Sequence, residues 1–273
     1  MALTTSNVGH SSPTSGTAER QRIFEAIYRK RVWSRNVTQQ DGGSGSGSTL
    51  VFTRGIRALL SELFDTLNIS SVLDAPCGGM EWQQTLLKDI GAAGRSLRYE
   101  GIDIVPSVIQ KHRKRYLRWT NVSFKVLDMA NDPVPRGHDL IFSRDALQHN
   151  KPSVIVSTLR NWAQSDAKWL LVSSYPNATR NIALRMRGVE AGKSFDIDLR
   201  KPPYCLEPTR MFRETLELSD PWADNSKFLY LYEVRLMRDA VDAGFVDLEC
   251  WSNVTFARRS SNVSCAPCAA RGI

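Results

Sequence analysis

The chain has 273 residues, a net charge of +8 and an apolar fraction of 42%. That length suits one large α/β domain or two small ones, and the composition is that of a globular protein rather than a disordered or fibrous one. No run approaches the roughly 20 apolar residues that span a bilayer, and the start lacks the basic and apolar blocks of a secretory signal, so a cytoplasmic protein without membrane insertion is expected.

Residues 1–18 are rich in Ser, Thr and Gly and read as a disordered tail. Residues 19–35 read as a basic amphipathic helix with Ile23, Phe24, Ile27, Tyr28 and Val32 on one stripe. A Gly/Ser stretch, 41–48, closes this 19–48 unit as a linker or a loop that approaches a ligand closely. The helix expected at 50–67 opens the main domain, 49–255. Strands are then expected at 71–75, 98–104, 122–127, 138–143 and 168–174, with helices at 81–90, 106–118, 152–164 and 235–243. Pro106 and Pro152 suit first helical turns. This alternation implies a doubly wound, mostly parallel sheet with helices on both faces, and the continuous apolar strand cores agree with it. After Tyr175 the period breaks, and 176–226 reads as an irregular insert or lid. Late strands are expected at 228–234 and 245–251, and 256–273 reads as a flexible tail. Cys265 and Cys268 form a CxxC there, two ligands short of a closed zinc site, so no metal is expected. The basic clusters at 20–35 and 111–118 read first as solvated helix faces and second as a surface for an anionic partner.

The expected strand ends carry the chemistry. The first runs through Val72-Leu73-Asp74 into the turn Ala75-Pro76-Cys77-Gly78-Gly79 and a helix, the entrance of a nucleotide-type site. The second ends at Asp103, which can accept both hydroxyls of a ribose; the third ends at Asp128 and the fourth at Ser143-Arg144-Asp145. One such acid would read as a helix cap. Successive acids, at ends that meet in one crevice, make a constellation.

These residues resemble the class I S-adenosylmethionine (SAM)-dependent methyltransferases. The likeness spans roughly residues 42–176 and is closest to a mostly bacterial group whose first turn reads Asp-Ala-Pro-Cys-Gly with a Trp soon after, here Trp82. That group also has a Gly/Ser stretch before the first helix and a Pro-Pro-aromatic segment, here Pro202-Pro203-Tyr204. The resemblance implies a seven-stranded Rossmann-like methyltransferase fold and SAM as cofactor. It implies that Asp74 and the backbone of Ala75, Pro76, Cys77 and Gly78 hold the amino-acid end. Asp103 would accept the ribose hydroxyls and Ile104 would pack on the adenine. Asp128 would accept the adenine amino group, with Met129 beside it, while Ser143, Arg144 and Asp145 would close the crevice. Met80 stands where the family often has glycine, and either narrows the methionine end or packs beneath it.

For an oxygen acceptor a base helps, and Asp145 and His149 are the candidates. A small molecule or glycan is the first acceptor class and RNA the second. A nicotinamide enzyme would need G-x-G-x-x-G, which Cys77-Gly-Gly-Met-Glu-Trp82 does not match. A methyltransferase fold that binds without turnover is the alternative from another class.

Overall fold

The computed structural model describes residues 15–35, 43–176, 181, 191–214 and 227–247. In chain order the elements are α1 (Ser15–Arg29), α2 (Arg54–Thr66), β1 (Ser71–Asp74), α3 (Gln83–Ala92), β2 (Arg98–Asp103), α4 (Pro106–Arg115), β3 (Val122–Val126), β4 (Leu140–Ser143), α5 (Pro152–Ala163), β5 (Trp169–Ser174), β6 (Arg210–Arg213), β7 (Phe228–Glu233) and α6 (Val234–Asp242). The seven strands form one sheet in the order β3-β2-β1-β4-β5-β7-β6. Strands β1 to β5 pair in parallel, and β7 runs antiparallel to both β5 and β6.

Strand alternation builds two cores. Leu73, Ile141, Leu170, Val172, Tyr230 and Tyr232 join α5 and α6 on one face of the sheet. Their chain neighbours Val72, Leu140, Phe142, Leu171, Leu229 and Leu231 join α2 and α3 on the other. A side-chain period of two, applied to strands buried on both faces, produces this division. Every residue of β1 and β4 is buried, while the edge strands β3 and β6 are largely exposed. The chain leaves β1 toward β2 and β3, then returns to its other side at β4. That reversal opens a crevice at the carboxyl ends of β1 and β4.

Four expectations need correction. Residues 15–18 are the first turn of α1 rather than tail, because Thr17 is buried with its hydroxyl on Asp128. The sixth strand, 210–213, lies inside the segment read as an irregular insert. It pairs along β7 as a short, exposed edge, so its sequence lacks the apolar signature of a central strand. Residues 245–247 are not strand, and 248–251 lie outside the described residues, as do the Cys265/Cys268 pair and the tail. Val32, placed on the apolar stripe of the first helix, is beyond its end and exposed. Among the described residues no helix is long and apolar enough to cross a membrane, and no cluster of ligating side chains could hold a metal ion.

Candidate active site

A cavity of about 450 Å³ occupies the crevice. It is lined by the ends of β1, β2 and β4, by the chain that follows β3, by the Gly/Ser loop and by α1 with the residues after it.

The first wall is the turn after β1. Gly78 has φ +56°, and a Cβ there would meet the Ser44 hydroxyl at 2.8 Å, so the position requires glycine on both counts. The Gly/Ser loop is tied to this turn: Gly79 N–H donates to Ser44 Oγ at 2.7 Å, and Ser44 N–H donates to Glu81 Oε1 at 2.9 Å. His112 of α4 donates from Nε2 to the Gly78 carbonyl across 2.7 Å. Met80, also at positive φ, is fully buried against Tyr99 and does not line the cavity, so it packs beneath the site. Asp74 is buried and accepts Tyr99 Oη at 2.5 Å and Gln83 Nε2 at 3.0 Å. Burial pushes its carboxyl up to about 7 against those two hydrogen bonds.

Asp103 ends β2. Its Oδ1 accepts Val105 N–H at 2.9 Å and its Oδ2 accepts Gly78 N–H at 3.3 Å, and burial lifts it to about 6 in spite of them. A carboxylate bonded only by backbone amides keeps lone pairs for a ligand. Asp128, after β3, is more heavily engaged. It accepts Thr17 Oγ1 at 2.6 Å, Asn131 Nδ2 at 2.9 Å and the guanidinium of Arg20, so α1 is held across this end of the cavity.

The far end is an ionic network. Arg144 pairs with Asp145 at 3.2 Å and with Glu214, and its Nη1 donates to the Gly47 carbonyl at 3.0 Å. Lys227 bridges Asp145 at 2.8 Å and Glu214 at 3.2 Å. Tyr175 Oη and Gln148 Nε2 both donate to Asp145 Oδ1, at 3.1 and 3.3 Å. Burial alone would raise the Asp145 carboxyl, but Lys227 and Arg144 outweigh it and hold it well below the usual carboxylate range. Asp145 is therefore a weak proton acceptor, and its backbone sits at φ +54°, a conformation the surrounding bonds must maintain. His149 stacks on Trp33 with ring centroids 4.8 Å apart, and its Nδ1 lies 3.3 Å from the Lys193 carbonyl. A carbonyl only accepts, so the proton of the neutral ring belongs on Nδ1 and the basic nitrogen is Nε2. Burial lowers its pKa, with Asp145 opposing.

Of the residues expected from sequence, Asp74, Pro76, Cys77, Gly78, Asp103, Ile104, Asp128, Met129, Arg144, Asp145 and His149 line the cavity. Ala75 and Ser143 are buried and do not. Tyr204 is fully buried in the core, and Arg200 is paired with Asp198, so the Pro-Pro-aromatic segment anchors the fold away from the cavity. Sequence reasoning missed the walls supplied by α1 and Trp33, by Glu81 and by Lys227 with its partner Glu214. Only the apolar stripe of α1 signalled any of them.

The sequence matches no protein-family model and no curated protein. Solved structures do resemble it. The N-methyltransferase NodS from Bradyrhizobium japonicum WM9, in complex with S-adenosylhomocysteine (SAH), superposes with a TM-score of 0.51 at 17% identity, over 76% of this chain and 97% of that one. The 1,6-didemethyltoxoflavin-N1-methyltransferase of Burkholderia thailandensis, bound to 1,6-didemethyltoxoflavin and SAH, gives a TM-score of 0.50 at 15% identity, over 83% and 92%. At such identities the likeness is one of fold. The seven-stranded sheet with its single reversed strand is thus the Rossmann-like methyltransferase fold.

Proposed function

We propose that this protein is a SAM-dependent methyltransferase that acts on an oxygen of a small-molecule acceptor. The observation that carries this reading is the convergence of Asp74, Asp103, Asp128 and the Gly78 turn on one cavity. The residues present fit the cofactor: a turn whose close approach a Cβ would block, and a buried Asp103 bonded by backbone amides and open to further donors. Asp103 would take the ribose hydroxyls, Ile104 and Met129 the adenine faces, and Asp74 with the turn backbone the amino-acid end. Asp128 would take the adenine amino group through the capacity that α1 leaves it. When bound, SAM supplies a methyl group already activated by a positive sulfur.

The chain's own residues then have to align the acceptor, exclude water and take up a proton. The α1 helix, held by Arg20 and Thr17 on Asp128, forms one wall of the cavity. His149 is the proton acceptor, through Nε2. Asp145 remains ionised and orients Tyr175 and Lys227. A cavity of about 450 Å³ favours a small acceptor over RNA or a polymeric glycan.

Calorimetric titration tests this. SAH is expected to bind with micromolar affinity, about 8 kcal/mol, and radiolabelled SAM to pass its methyl to a small-molecule fraction. Binding of NADH in place of SAH overturns the reading.

A further inference from the structure

The far end of the cavity has a composition that discriminates between acceptors. The lysine and arginine side chains among the described lining of the whole cavity are Arg20, near Asp128, and Arg144 and Lys227 at the far end. Each is committed to carboxylates, Arg20 to Asp128 and the other two to Asp145 and Glu214. A phosphate or carboxylate entering here would have to compete with these pairs, which is unfavourable because Asp128 and Glu214 are buried and would be left without their cation. Part of the apolar wall is a group of aromatic rings. Trp33 gathers Phe24 at 6.1 Å, Tyr28 at 5.7 Å and His149 at 4.8 Å between ring centroids, and it remains only half-buried.

We propose that the acceptor is an uncharged planar ring carrying an acidic hydroxyl, received on the aromatic wall built around Trp33. This rests on the methyltransferase reading above and narrows its substrate class. Flat apolar rings gain from such a wall through burial and offset or edge-to-face contact. Sugars, which lack a π face of their own, and phosphate esters, which need a free cation, gain less. Proton chemistry points the same way. A neutral imidazole is a far better match for a phenol, whose pKa is about 10, than for an aliphatic alcohol, a much weaker acid. In the transfer the ring oxygen bonds to the methyl carbon as the carbon–sulfur bond breaks. The electron pair stays on sulfur, and the hydroxyl proton goes to His149 Nε2 and then to solvent.

The test uses the full chain, with and without SAH, and calorimetric titration of 4-methylphenol, cyclohexanol, glucose 6-phosphate and a short RNA oligonucleotide. The phenol is expected to bind, cyclohexanol at least several-fold more weakly, and glucose 6-phosphate and RNA not at all. Trp33→Leu should weaken the phenol about tenfold, and Trp33→Phe, which keeps a ring, should restore most of it. SAH affinity of both variants, with a thermal melt, reports that they are folded. Stronger binding of glucose 6-phosphate or RNA than of phenol overturns the proposal. So does phenol binding that is absent, or equal in wild type and Trp33→Leu. If SAH fails to bind while the ring binds, the methyltransferase reading falls and the ring site stands. If SAH binds and the ring does not, the reverse holds.

Discussion

The two ends of the cavity are built on different principles. At the β1–β2 end each functional group is close in sequence to the element that aims it. Asp74 and Asp103 terminate their own strands, and Gly78 and Glu81 follow β1 within a single turn. At the far end the groups come together across long stretches of chain. Arg144 meets Glu214 seventy residues on, and Lys227 reaches Asp145 eighty-two residues back. The first end depends on local backbone geometry and the second on buried charges that neutralise one another. The two ends should therefore fail in different ways when a residue is removed.

The largest effect is expected at the ionic end. Arg144→Met leaves Asp145 and Glu214 sharing Lys227 as their remaining cation, and Glu214 is almost fully buried. Removing one partner of a buried pair costs about 3–5 kcal/mol, so the urea midpoint should fall steeply. A variant that keeps its stability but loses SAH binding would show that the two ends are not separable. The next largest effect belongs to the local end. Asp103→Asn replaces a charged acceptor, and hydrogen bonds to charged groups are worth about 1.5–3 kcal/mol. SAH affinity should drop ten- to a hundredfold in calorimetry while the urea midpoint hardly moves. Unchanged affinity would assign the ribose to another group.

The smallest effect is a pH dependence of stability without ligand. Asp74 titrates near 7 in the fold and near 4 when unfolded, so between those values the native state holds the extra proton. Its contribution to stability is therefore full at low pH and is lost as pH rises toward 7, by about 1 kcal/mol between pH 6 and 7. His112 and His149, both depressed by burial, push the other way in the same window. The diagnostic is thus the difference between Asp74→Asn and wild type in paired urea melts. The variant should become relatively more stable as pH rises, and a flat difference would mean that Asp74 is ionised throughout.

The same division decided what could be read in advance. The central strands were legible to within a few residues because burial on both faces demands unbroken apolar runs, as in Val72-Leu73 and Leu170-Leu171-Val172. The sixth strand was not, since Arg210–Arg213 is an exposed edge whose pairing with β7 needs only backbone groups. Arg200 and Tyr204 lie in the segment read as an insert or lid. Position made one the partner of Asp198 and the other a core side chain.

By itself the sequence determined the alternation of strands and helices, the acids at the strand ends and the glycine turn between them. Those features depend on local periodicity and on backbone conformations that few residues can adopt. Only the tertiary structure decided that α1 lines the cavity, that Met80 lies beneath it and that Asp145 is tied to two cations while His149 keeps a basic nitrogen. Each of these is a question of which distant side chain ends up within a few ångströms, and of whether water is left between them. Periodicity along the chain carries no information about either.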